Sequence, residues 1–137
     1  MYRKKPVPAT KGGAVESIIE DVIKCNNSEQ LFNIDIYSIF EETAEKLVQN
    51  DQTYHFIKNI SNKYENLLNV ISLKINLKFL YKNKFIENVI SLINLKTYDW
   101  IIVENRPLFI IPLRKKITNK FTKIALHMHN DCFINKK

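Results

Sequence analysis

Two glycines stand side by side in ATKGGAVE, at Gly12 and Gly13, and they are the only glycines in 137 residues. Glycine adopts positive φ cheaply and has no side chain to hold a ligand away from the backbone. The helix-like run that follows would present N–H groups without internal partners and the positive end of a dipole. The loop PVPATKGGAVE could therefore hold an anion. The same doublet also suits a plain tight start to a helix. It fits neither the GxGxxG dinucleotide fingerprint nor the GxxxxGK Walker loop.

A second set of candidates closes two apolar runs. YDWIIVEN ends in Glu104 and Asn105, followed by Arg106 ahead of Pro107, and KIALHMHND ends in His129, Asn130 and Asp131. An imidazole at a strand end can hydrogen-bond a substrate hydroxyl, while Glu104 and Asn105 could equally cap a neighbouring helix. His127 and His129 alternate on a strand, so they are expected to face opposite ways and not to form a metal pair, with His127 a packed or surface residue. Asp99 and Asp131 lack the DxD spacing of a divalent-metal nucleotide site, and His55 is unremarkable.

The elements that must position these groups alternate in type. Val15, Ile18, Ile19, Val22 and Ile23 fall at helical spacing, predicting a helix over 14–24 that breaks at the polar CNNSEQ. LFNIDIYSIF alternates at Phe32, Ile34 and Ile36 and reads as a strand; EETAEKLVQN reads as a short helix and TYHFIKNI as a weaker strand. Lys63 to Lys96 holds no glycine or proline, which favours two helices, the second with its stripe at Ile86, Val89, Ile90 and Ile93. Trp100 to Val103 is a continuous apolar run, of the kind covered on both faces in parallel sheets. LFIIPLRKKI predicts a helix interrupted by Pro112, and residues 123–131 a buried strand. The pattern as a whole points to an α/β fold with a parallel sheet, whose ligands gather beyond the carboxyl ends of the strands.

Composition sets the outer bounds. The length suits one domain, and 45% hydrophobic residues is too apolar for a disordered tail. A formal charge of +7 draws polyanions, anionic headgroups or phosphorylated small molecules, although lysine beside asparagine and isoleucine also fits AT-rich coding. Cys25 and Cys132 form no CxxC and no leader stands ahead of them, which predicts a reducing cytoplasm and no disulfide or metal framework. No apolar stretch approaches the roughly 20 residues of a membrane helix.

Three segments in order, PVPATKGGAVESII, YDWIIVENRPLFIIPLRKK and KIALHMHND, resemble the amino-terminal domain of family 4 glycosyltransferases of the GT-B fold, and NIDIYSIF resembles its second strand. The resemblance covers nearly the whole chain. It implies two Rossmann-like domains across a cleft, the amino-terminal one binding the acceptor and the other the nucleotide-sugar donor. Gly12 and Gly13 would then approach the donor phosphates, and His129 would lie close to the transferred sugar as the catalytic candidate. Glu104, Asn105, Arg106 and Asn130 would line the same mouth, with no metal ligand and no cofactor beyond the nucleotide sugar itself. The expected reaction is hexosyl transfer with retention, to a glycan or lipid-linked acceptor, as in polysaccharide biosynthesis.

Departures from the family pattern shape the remaining expectations. MYRKKPVPAT carries two prolines and no strand pattern where the family begins with an apolar strand, and the chain stops before the donor domain. Residues 1–137 are therefore expected to be one partial acceptor-side domain, truncated at both ends and inactive alone. It would be cytoplasmic, with peripheral contact at the inner membrane face compatible with a lipid-linked acceptor. A rival reading is a small basic module binding nucleic acid or an anionic membrane surface through lysines around 74–84 and 114–123, where Phe79, Tyr81 and Phe85 interleave with Lys78, Lys82 and Lys84. A helix with solvated lysines explains that segment more simply, so no nucleic-acid partner is expected.

Overall fold

The computed structural model describes residues 5–49, 51, 53–58, 71 and 83–129. The chain divides into two compact units, residues 1–59 and 60–137, and each is taken by itself.

The first unit contains α1 (Ala14–Glu29), β1 (Ile36–Ile39), α2 (Glu42–Leu47) and β2 (Tyr54–Ile57). β1 and β2 pair in parallel, from Ile36 opposite Tyr54 to Ile39 opposite Ile57. Parallel neighbours need a crossover, and α2 supplies it. Pro6, Val7, Ile23, Ala44 and Ile57 are buried. The 14–24 helix is real but longer than the polar break suggests. CNNSE, with neither glycine nor proline, continues the helix to Gln30, which closes it at φ 51 and donates its N–H to the Asn26 carbonyl. Asn26 then accepts from the Phe32 N–H and donates to the Phe32 carbonyl, both at 2.9 Å. This clip holds 31–35 outside the strand, so β1 starts at Ile36 and Phe32 stays exposed, where the alternation had placed a longer strand. On α1 only Ile23 is buried, while Ile18 and Val22 are exposed, so the apolar stripe is narrower than its spacing suggested.

The second unit contains α3 (Lys84–Ile93), β3 (Trp100–Glu104), one 3-10 turn (Pro107–Phe109), α4 (Ile110–Lys116) and β4 (Lys123–His127). The first of the two helices expected between Lys63 and Lys96 falls almost wholly outside the described residues. The second is α3, whose predicted stripe of Ile86, Val89, Ile90 and Ile93 is buried in full. Asn83 caps it, accepting from the Phe85 and Ile86 N–H groups at 3.0 and 3.4 Å. At the other end Asn94 donates to the Lys116 carbonyl and accepts from the Thr118 N–H, each at 3.0 Å, tying α3 to the end of α4.

Helix α4 runs through Pro112 without interruption, contrary to expectation. Pro112 is its third residue, in the first turn, where a missing N–H forfeits no intrahelical bond. Strands β3 and β4 pair in parallel, from Trp100 opposite Lys123 to Glu104 opposite His127. The expected α/β class with parallel strands is present, as two strand–helix–strand units with a two-stranded ladder in each. The apolar run of β3 is not covered on both faces: Val103 is buried, whereas Trp100 and Ile102 are 55% and 62% exposed. Nor is β4 deeply buried, its residues being half-buried or exposed. Among the described residues no helix is long and apolar enough to cross a membrane.

Candidate active site at the strand ends

Parallel pairing brings the carboxyl ends of β3 and β4 to one edge, with Glu104 directly opposite His127. The next residue, Asn105, takes φ 52, a left-handed conformation that asparagine tolerates better than most, and donates its N–H to the His127 carbonyl at 2.8 Å. The ladder is thereby closed just beyond Glu104, and the carboxylate is held at the rim. Arg106 is half-buried and starts the 3-10 turn, its carbonyl accepting from the Phe109 N–H at 3.0 Å.

His129 lies two residues past β4. Its Nε2 is 2.7 Å from Glu104 Oε2, and its side chain is 12% exposed. Because the carboxylate can only accept, neutral His129 carries its proton on Nε2 and presents an Nδ1 lone pair. His127 also reaches Glu104, with Nδ1 at 3.1 Å from Oε2, and the two imidazole centroids are 4.2 Å apart. The expectation that the histidines face opposite ways is corrected here. Successive strand side chains alternate, so residues two apart share a face, and His127 and His129 both lie on the side of Glu104. The His127 contribution was missed because residues two apart were assigned to opposite faces, and its pairing with Glu104 depends in addition on strand register, which no single segment encodes.

Gly12 and Gly13 belong to the first unit. Their φ values of 63° and 140° lie where other residues are strained, and Gly13 is the N-cap of α1. A side chain at Gly13 would collide with the Glu16 carboxylate and approach Lys5 Cδ at 3.0 Å, whereas nothing lies within 4 Å of the corresponding position at Gly12. The anion at this helix start is thus the chain's own Glu16. Two further carboxylates hold the loop: Glu20 accepts from the Ala9 N–H at 2.8 Å, and Glu41 accepts from the Thr10 hydroxyl at 3.0 Å. Asn130 lies outside the described residues.

Glu41 is a positioning residue that sequence reasoning missed, since glutamate is not among the favoured helix caps. It caps α2 through the Ala44 N–H at 2.9 Å, takes the Thr10 hydroxyl, and lies 3.6 Å from the Lys11 ammonium. The Ala44 N–H foremost, then Thr10 and Lys11, hold its carboxyl below the usual carboxylate range, with partial burial opposing them. A carboxyl depressed on folding adds stability above its unfolded value of about 4.3, and that contribution disappears as pH falls through the lower folded value. Thermal unfolding should therefore show Glu41→Gln less stable than wild type at about pH 7, with the difference narrowing toward about pH 3. A gap that does not depend on pH would remove the charge from this explanation.

In α/β folds ligands gather beyond the carboxyl ends of parallel strands, and the β3–β4 edge carries an acid and two imidazoles there. The chain is 28% identical over 134 residues to the protein named "Putative glycosyltransferase YtcC" of Bacillus subtilis (strain 168), a match covering 98% of this chain and 26% of that protein. The chain thus spans about a quarter of that relative's length. No family model matches the sequence, and no solved structure matches significantly.

Proposed function

We propose that this chain is the acceptor-side part of a glycosyltransferase that moves a sugar from a nucleotide-diphosphate donor to a glycan or lipid-linked acceptor. The reading is supported most by the His129–Glu104 contact of 2.7 Å at the carboxyl ends of β3 and β4. His129 is the catalytic residue. With Nε2 engaged by Glu104, Nδ1 accepts a hydrogen bond from a hydroxyl of the transferred sugar and fixes its orientation in the transition state. Glu104 is a positioning residue that sets the tautomer and the ring plane, and Asn105 and Arg106 line the same mouth.

Gly12 and Gly13 would meet the donor diphosphate only once the Glu16 carboxylate swings aside, because two anions do not share one helix start. Most of the leaving-group charge would then fall to cations outside this chain. The basic-module alternative has less support. Lys116 pairs with Glu87 at 3.1 Å and Lys120 donates to the Ile117 carbonyl at 2.8 Å, while Arg114, Lys115 and Lys116 complement the negative end of α4.

A chimera in which residues 1–137 replace the matching segment of the Bacillus relative tests the proposal. Donor-dependent sugar transfer or donor hydrolysis is expected with at least one nucleotide sugar. A folded chimera inert toward a broad donor panel, beside an active parent, would overturn it.

A further inference from the structure

The cluster of Glu104, His127 and His129 offers one oxygen and two imidazole nitrogens that all lie within 4.8 Å of one another. Two imidazoles and one carboxylate form a donor set that first-row divalent ions favour, and zinc accepts it with water in the remaining position. We propose that these three side chains bind a zinc-type divalent transition-metal ion, a role that neither needs the sugar chemistry above nor follows from it, although it shares Glu104 and His129 with it.

Three observations carry the proposal. Glu104 and His127 are directly paired across the β3–β4 ladder, with the bond from the Asn105 N–H to the His127 carbonyl fixing their backbones, so two donors sit on rigid elements. The present contacts, 2.7 Å from His129 Nε2 and 3.1 Å from His127 Nδ1 to the same oxygen, show that both nitrogens already aim at the carboxylate. An ion inserted among them requires side-chain rotation of a fraction of an ångström to about one ångström, because metal–ligand bonds of about 2.0–2.2 Å hold donors slightly further apart than a direct hydrogen bond does. Finally, His127 is more than half exposed, which leaves an entry path.

Hard alkaline-earth ions are disfavoured because they demand an oxygen-rich shell that two imidazoles do not supply. Binding does not depend on the transferase reading. If both hold, ion and sugar compete for His129.

The test uses the full 137-residue chain with Cys25→Ser and Cys132→Ser, titrated calorimetrically with zinc and, for spectroscopy, with cobalt(II). One zinc per chain is expected. His127→Asn and Glu104→Gln should each weaken it by at least about tenfold, since losing a ligand costs no less than losing an outer partner of one. Cobalt should give visible bands that the same substitutions abolish. His127→Asn alters an exposed side chain, and circular dichroism without metal verifies that the variant is folded. Absence of stoichiometric binding, or zinc affinity unchanged in folded His127→Asn, would overturn the site. Neither result involves a sugar, so neither bears on the transferase proposal.

Discussion

His129→Ala is expected to lower kcat for sugar transfer by about a hundredfold or more in the chimera, with a much smaller change in KM. The size follows from where the group acts. An imidazole fixed by Glu104 and largely shielded from water meets the sugar in an orientation it need not search for, and such a contact tightens in the transition state. Two conservative variants separate its parts. His129→Asn places an amide near the former Nδ1 and keeps a sugar contact while losing Glu104. His129→Gln reaches toward Glu104 and loses the sugar contact. Partial rescue by asparagine, and less by glutamine, is the expected order. Glu104→Gln should reduce kcat by roughly tenfold, through a less fixed ring. Steady-state kinetics on the four variants checks this, and an alanine variant within about threefold of wild type would remove His129 from the chemistry.

The largest effect on stability is expected at Leu113, which is 1% exposed. It sits in α4, a helix that packs against α3, the 3-10 turn and β4. Leu113→Ala removes three buried carbons and leaves a cavity, at about 2–5 kcal/mol. Native stability is typically about 5–15 kcal/mol. The substitution should therefore lower Tm by roughly 10 °C or more, whereas Leu113→Met, nearly equal in volume, should cost less than about 1.5 kcal/mol. Calorimetric melts of the two variants decide it. Equal losses from alanine and methionine would show that the cavity is not the cause.

What could be read in advance followed the range of the interaction that fixes it. The α3 stripe is a local property, and Ile86, Val89, Ile90 and Ile93 are buried as their spacing requires. Glu104 and His129 were found by a rule about strand ends that needs only the strand boundaries. His127 was lost to a misassigned face, since residues two apart lie on the same side of a strand, while its pairing with Glu104 required the β3–β4 register, a relation between residues 23 positions apart; the exposure of Ile102 depends on which neighbours cover it. Pro112 misled because a proline's effect turns on whether it falls in a helix's first turn, and the boundary set by Pro107 and the 3-10 turn was not visible in the pattern. The tail of α1 was missed because polar residues were taken for a break, although helices end through caps and breakers more than through polarity.

The tether between the amino-terminal loop and the β1–α2 corner bears on the order of assembly. The Val7 N–H to the Ser38 hydroxyl and the Thr10 hydroxyl to Glu41 each join residues 31 positions apart. Neither partner is in place until strand and helix have formed, and closing such a span costs chain entropy before any contact repays it. Docking of this loop is therefore expected to be a late step, so that weakening it should speed departure from the native state while leaving the rate of arrival almost unaltered. The glycine pair, lying just beyond these two anchors, should become ordered with that docking and not before it.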